Sequence, residues 1–423
     1  ITIPSGATLV NNGTATGFAS IAWQSSIVTA ATLTAEAGKG YWIDTTSNAC
    51  TITLPASASV GDQVQIVDYA GTFATNNITL TSSLNIEGGT ETRLLTTNRE
   101  GVIITYVDAT QGWVATSGVN SGDQALDPIS ADYLIIAGGG GGGANSAGGG
   151  GAGGYRNSVS GESSGGGASN ESALNFSLAT NYTVTVGAGG SASTSDNSKG
   201  SNGSNSVFST ITSTGGGGGG SLGSGFRTGA NGGSGGGGSG ETNANAGGTG
   251  TANQGFAGGT SASSAPDYAS GGGGGASAVG ANGSGTVGGA GGAGLSSSIT
   301  GSAVTRGGGG GGSIFINTSG TTSYTVGTNG SGGGGSGGGS DGNQANVIAN
   351  TSGTVNTGGG GGGQTRFVST GSNGSGGSGI VILKYLDIYT ITNPGGGLTF
   401  TTSTASGYSV TSFTAGTGNV QWN

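Results

Sequence analysis

The sequence predicts an all-β protein whose largest part is a glycine-rich bundle of polyglycine II helices. Glycine supplies 105 of the 423 residues, whereas proline supplies 5 and charged residues make up 6%. Hydrophobic residues account for 31% of the chain, which is too little for one large apolar core. Short segments alternate apolar and polar residues, and none shows a helical period over a useful length.

Composition divides the chain into four predicted parts. Residues 1–39 are assigned as an N-terminal fibre or connector segment, and 40–130 as a β-sandwich-like module. Most of the glycine lies in residues 131–386, the predicted polyglycine II domain. Residues 387–423 return to an ordinary β-pattern and are predicted to form a small C-terminal β-cap, with strands near 388–392, 398–402, 408–413 and 420–422.

The first module contains the clearest strand pattern. Between Cys50 and Pro55 the residues alternate with period two, so Cys50, Ile52 and Leu54 are predicted to face inward. Cys50 is therefore interpreted as a small buried hydrophobic residue rather than a reactive thiol. Turn residues separate further predicted strands at 1–9, 63–67, 77–80, 102–107 and 113–116.

The glycine runs at 138–143, 215–220, 271–275, 307–312 and 358–363 are the basis of the polyglycine II prediction. A polyglycine II helix satisfies none of its own backbone groups, but glycine keeps its N–H and can bond to adjacent helices. Collagen is rejected because the strict Gly-X-Y period is missing. A flexible linker would not need the apolar segments at 133–137, 182–186, 207–208, 314–316 and 380–383, which are predicted to hold the runs in register.

Missing residue types exclude several classes of chemistry. The chain has no His, so neither a Ser-His-Asp triad nor a histidine zinc site can be built. We therefore expect no enzymatic activity, no cofactor and no metal. A net charge of -9 argues against nucleic acid as a partner, and no apolar run approaches the ~18 residues of a membrane-inserted helix.

Aromatic and basic residues coincide between the glycine runs, where loops at an end of the bundle are expected. Such side chains often carry the contact energy of an interface. They are the candidate receptor-binding residues, and capping or pinning of the glycine bundle is the alternative interpretation. These residues are Tyr155, Arg156, Phe226, Arg227, Tyr268, Arg366 and Phe367.

Two sets of sequence segments resemble known phage proteins. Residues 133–138, beginning Tyr133-Leu134-Ile135, together with 151–156, 182–190 and 377–382, resemble a glycine-rich domain common in tail fibres of marine tailed phages. Residues 51–55, 61–64, 67–70, 106–108 and 112–116 resemble a β-module of phage structural proteins. The glycine-rich domain and the β-module that these segments resemble together cover most of the chain.

The resemblance implies a virion tail-fibre adhesin that mediates host attachment by receptor binding. Its expected partners are a host cell-surface glycan or outer-membrane protein and other virion proteins. The resemblance also implies a homotrimer, for which Trp23, Ile27 and Val28 are the candidate residues at the axis.

Three other classes remain open at the level of sequence. The first is an extracellular filament or surface protein of a bacterium or archaeon, in which the glycine bundle is purely structural. A glycan-cleaving spike would need a carboxylate pair in a groove, whereas Glu87 and Glu91 lie in turn-like sequence. Ice binding by a flat glycine-rich face is the third.

Overall fold

The computed structural model describes residues 21–118, 125–126, 129–241, 243–263, 267–316, 324–337, 339–341, 347–366 and 374–423. Over these residues the protein is all-β, with a nearly closed, barrel-like sheet, a single 3₁₀ turn at Gly165–Gly167 and no α-helix. No helix in this described part has the length and hydrophobicity needed to cross a bilayer. The chain forms two compact units, Ile1–Pro128 and Ile129–Asn423.

The described residues of the first unit form ten strands. They are β1 (Ala22–Val28), β2 (Thr32–Thr34), β3 (Lys39–Ile43), β4 (Cys50–Thr53), β5 (Gln63–Asp68), β6 (Ile78–Thr81), β7 (Arg93–Leu95), β8 (Gly101–Asp108), β9 (Gly112–Gly118) and β10 (Ala125–Leu126). One sheet has the order β1-β3-β5-β8-β9 and the other the order β10-β7-β6-β4-β2.

The chain alternates between these two sheets over its first six strands. Strands β1, β3 and β5 pair in parallel in one sheet, and β2, β4 and β6 pair in parallel in the other. A strand of the opposite sheet thus serves as the crossover that parallel pairing requires. The residues facing between the sheets form one apolar core around the fully buried Trp113.

The predicted inward face of β4 is confirmed. Cys50, Ile52 and Leu54 are at most 2% exposed, whereas Thr51 and Thr53 are exposed. Burial raises the pKa of the Cys50 thiol, in keeping with a packing role. The predicted strand at 1–9 lies outside the described residues.

The parts of the second unit that the structure describes contain sixteen strands. They are β11 (Ile129–Ile136), β12 (Tyr155–Asn157), β13 (Leu174–Phe176), β14 (Tyr182–Thr185), β15 (Ser206–Phe208), β16 (Ile211–Ser213), β17 (Asp267–Ala269), β18 (Leu295–Ser297), β19 (Val304–Arg306), β20 (Ile314–Ile316), β21 (Gly339–Asp341), β22 (Val347–Ile348), β23 (Ile380–Leu386), β24 (Ile391–Thr392), β25 (Leu398–Ala405) and β26 (Tyr408–Trp422).

The main sheet of this unit has ten strands among the described residues and joins the two ends of the glycine-rich region. Strand β11 precedes the glycine runs and β23 follows them, and the two pair antiparallel with Leu134 opposite Ile382. The 15-residue strand β26 then pairs with β23, β25, β14 and β24.

The predicted separate C-terminal β-cap is therefore wrong. The C-terminal strands complete the main sheet, because the inward residues of β26 share a core with β11, which precedes the glycine runs, and with β13–β15, which lie between them. Trp422 is fully buried, and its ring stacks on Phe176 with centroids 4.5 Å apart.

The predicted polyglycine II helix bundle is also wrong. The fold is all-β with a barrel-like sheet, and no polyglycine II bundle is present among the described residues. The glycine runs are irregular segments that connect short strands. Composition alone misled the prediction, because the strand-forming residues between the runs set the architecture.

Backbone hydrogen bonds between different segments hold the glycine runs together. The amide of Gly150 donates to the carbonyl of Gly361 (2.8 Å), and the amide of Gly361 donates to the carbonyl of Gly140 (2.9 Å). A Cβ built on Gly150 would stand 2.1 Å from the Gly140 oxygen. We call the buried segments 138–143, 148–153, 215–220, 271–275, 307–312 and 358–363 the glycine core.

Candidate functional site

The glycine core has two ends that differ in structure. Residues 138–143 leave β11 and reach a turn at Ala144–Ala147, and residues 148–153 return to enter β12. The turn therefore lies at the end of the glycine core opposite the main sheet. We call this end the far end, and we call the end next to the main sheet the sheet end. The backbone of Ala144 accepts a hydrogen bond from Leu222, and that of Ser146 accepts one from Gly240.

Buried serines close the far end of the glycine core. Five serines, each at most 1% exposed, stand at the ends of glycine segments: Ser146, Ser221, Ser239, Ser270 and Ser313. The hydroxyls of Ser239 and Ser270 both donate to the Ser146 carbonyl, at 2.7 and 2.8 Å. Together they form a serine layer that satisfies backbone groups where the glycine segments end.

Sequence reasoning missed the serine layer. The signal was present, because a serine directly follows the glycine runs 215–220 and 307–312 and directly precedes the run 271–275. In so serine-rich a chain, only the structure distinguishes these buried residues from surface serines.

Two candidate residues, Phe226 and Arg227, lie at the far end. The carbonyl of Arg227 accepts a hydrogen bond from the Ser239 amide (2.8 Å), which ties this turn to the serine layer. The Arg227 Nε donates to the Leu222 carbonyl (2.8 Å), and its guanidinium pairs with Glu241. Phe226 is half-buried beside it.

Tyr268 and Arg366 meet at the far end around an aromatic residue that sequence reasoning did not single out. Strands β17 and β20 pair so that Tyr268 lies opposite Phe315, and the two rings stack with centroids 5.9 Å apart. The Arg366 Cζ lies 5.0 Å from the centroid of the Phe315 ring. We call Tyr268, Phe315 and Arg366 the far-end cluster; the candidate Phe367 lies outside the described residues.

Tyr155 and Arg156 lie at the opposite, sheet end. Tyr155 is fully buried among Leu134, Ile136 and Ile382, and this burial raises the pKa of its phenol. Its side chain contacts the core of the glycine-rich unit rather than its surface. The six candidates within the described residues are therefore divided between two ends and do not form one site.

Arg156 makes a bidentate ion pair with Glu171. The Nε donates to one carboxylate oxygen at 2.8 Å and an Nη donates to the other at 2.5 Å. The Tyr133 hydroxyl donates to the same carboxylate at 2.8 Å. The hydrogen bond with Glu171 raises the pKa of Arg156, so the guanidinium stays charged, and the bidentate contact fixes the geometry of the two side chains.

Within the described residues, no group of three or more His, Cys, Asp or Glu side chains is placed to hold a metal ion. Apart from Glu171 and Glu241, which pair with arginines, the side chains described at the two ends are aromatic, cationic and amide or hydroxyl groups. Such groups recognise ligands by stacking and hydrogen bonding.

Comparison with protein families decides the classification. A family model described as a glycine-rich domain matches residues 116–386. The chain belongs to the glycine-rich domain family. This confirms the prediction of a glycine-rich domain, and the match contains both ends of the glycine core and all seven candidate residues. A search of curated proteins gave no match.

Proposed function

We propose that the protein is a tail-fibre adhesin that attaches a phage to its host cell, with the far end of the glycine core as the receptor-binding end. The observation that supports the proposal most directly is the far-end cluster. It lies beside the serine layer, at one end of the hydrogen-bonded glycine core. The likeness of residues 133–138 and 377–382 to tail-fibre sequences supports the same role.

The chemistry of the far end suits recognition of a cell surface. Tyr268 and Phe226 are half-buried aromatic side chains. The Arg366 guanidinium lies over the Phe315 ring on which Tyr268 stacks, and Arg227 directly follows Phe226 in the chain. Aromatic and arginine side chains dominate the energetics of protein interfaces. The proposed receptor is a host cell-surface glycan or an outer-membrane protein, and binding proceeds without catalysis, nucleic acid or membrane insertion.

The proposal includes a homotrimer located in the virion and attached to other virion proteins. Trp23 and Ile27 lie on β1, an edge strand of its sheet, and are 39% and 41% exposed. Val28 packs against the core of the first unit. Association of copies would cover the exposed edge and its apolar side chains.

The second candidate function is a subunit of an extracellular filament on a bacterial or archaeal surface. Strand β25 favours it, because its eight residues carry no charge and pair with β26 alone in the described sheet. Such an edge is a template for pairing with another chain. A filament protein would use the glycine core only as a scaffold.

Attachment to cells tests the first proposal. Fluorescently labelled protein is incubated with a panel of marine Gram-negative isolates and with lipopolysaccharide extracted from them. Tyr268→Ala is expected to reduce attachment about 30-fold, since loss of an interface hot spot costs about 2 kcal/mol or more.

The control Val355→Ala alters a residue that is 68% exposed near the sheet end, and attachment should not change. Native mass measurement of the same preparation should give three chain masses. Helical filaments in electron micrographs, with no attachment to any isolate, would refute the adhesin and favour the filament.

A further inference from the structure

A polar cleft of about 330 Å³ opens at the sheet end, separate from the far-end cluster. One side of it follows the 3₁₀ turn at Gly165–Gly167, and the other follows the turn at residues 252–254. The two turns approach closely, because a Cβ on Gly165 would stand 2.0 Å from the Gln254 carbonyl oxygen. This volume is at the lower end of the range for small-molecule sites, about 300–1,000 Å³.

The Arg156–Glu171 ion pair lines the cleft and leaves it without net charge. Both carboxylate oxygens of Glu171 accept from Arg156, and one also accepts from the Tyr133 hydroxyl. A third guanidinium nitrogen of Arg156 donates to the Thr212 carbonyl at 3.3 Å. Because the opposite charges are satisfied by each other, the cleft offers no unpaired cation to an acidic ligand.

Several other groups of the cleft retain hydrogen-bonding capacity. Among the described residues, the Ser169 hydroxyl, the Asn253 amide and the Gln254 Nε2 have no protein partner. The Gln254 Oε1 accepts from the Thr214 amide at 2.8 Å, which fixes the orientation of that side-chain amide. Asn253 adopts a φ of 61°, so its backbone is set in a defined turn.

An aromatic ring lies next to the 3₁₀ turn on one side of the cleft, although it is not among the residues that line the cleft. A Cβ on Gly167 would lie 3.7 Å from Cζ of Phe256, which is only half-buried. The amide and hydroxyl groups that line the cleft match a ligand that has several hydroxyl groups.

We propose that this cleft binds a neutral hexose, with the Ser169, Asn253 and Gln254 side chains as hydrogen-bonding partners. The size of the cleft, its lack of net charge and its amide and hydroxyl groups without protein hydrogen-bond partners all match such a ligand. The inference does not depend on the adhesin function, because the cleft and the far-end cluster lie at opposite ends of the glycine core. A single hexose is expected to bind with a dissociation constant of about 1 mM, since small ligands gain limited energy per atom.

Saturation-transfer NMR on the intact chain tests this site. The probes are D-glucose, D-galactose, D-mannose, N-acetyl-D-glucosamine and, as an acidic sugar, D-glucuronate. At least one neutral sugar should show transfer, and glucuronate should show much less. Absence of transfer to every neutral sugar, or equal transfer to glucuronate, would overturn the proposal.

Variants locate the binding in the cleft. Ala252→Trp places a large side chain at an exposed position of the cleft and should weaken binding at least tenfold. Asn253→Gly removes the amide without straining the left-handed backbone and should weaken binding about threefold to tenfold.

The matched control is Ala56→Trp, at an exposed position in the first unit. Binding that survives both Ala252→Trp and Asn253→Gly would place the sugar elsewhere and contradict the proposed site. If Ala252→Trp does not fold, Asn253→Gly still decides the question. Loss of hexose binding with cell attachment retained would separate this cleft from the receptor-binding end.

Discussion

Replacing Gly150 by alanine is expected to unfold the glycine-rich unit. The new Cβ would stand 2.1 Å from the Gly140 carbonyl oxygen, and that oxygen belongs to the backbone of another buried segment. Gly150 also donates to Gly361 and accepts from the Gly310 amide, so it cannot move aside without breaking these bonds. The expected loss of unfolding free energy exceeds about 3 kcal/mol. Urea unfolding and the soluble yield measure it.

Gly395→Ala is the matched control, because it makes the same chemical change at an exposed turn. A Cβ on Gly395 would meet nothing within 4 Å, and its φ does not lie in the left-handed region. Its effect should stay within about 0.5 kcal/mol. Equal stability of the two variants would show that the glycine core is not closely packed.

Trp422→Ala is expected to cost about 3–5 kcal/mol of unfolding free energy. Its ring lies 4.5 Å from that of Phe176, 5.6 Å from that of Tyr182 and 5.9 Å from that of Tyr385, measured between centroids. Removing it leaves a cavity among β13, β14, β23 and β26. Thermal or urea unfolding, followed by circular dichroism, measures the loss.

Trp422→Phe provides the graded control and should retain part of the stability. A loss below about 1 kcal/mol for Trp422→Ala would indicate that the C-terminal strands form an independent cap after all. The expected result instead makes β26 an integral strand of the main sheet.

The strands of the first unit could be predicted from the sequence, because the alternation of apolar and polar residues that indicates a strand is a local pattern. Alternation at Cys50, Ile52 and Leu54 correctly gives both the strand and its buried face. The alternation of the chain between two sheets could not be predicted from the sequence, because the parallel pairing of β4 with β6 depends on contacts between residues far apart in the chain.

The candidate site was predicted only in part. Arg227, Tyr268 and Arg366 were selected because aromatic and basic residues interrupt the glycine, and the structure places them at one end. Phe315 was missed, because its role depends on the pairing of β17 with β20 across more than forty residues. The adjacency of Tyr155 and Arg156 in sequence concealed that one is buried and the other lines a cleft.

Hydrogen exchange of the glycine amides tests the central claim most directly, that lateral backbone hydrogen bonds order the glycine core. All six amides of residues 148–153 donate to carbonyls of other glycine segments. They are expected to exchange only as slowly as global unfolding allows, whereas the exposed residues 395–397 should exchange rapidly. Rapid exchange of residues 148–153, at the rate of residues 395–397, would contradict the account.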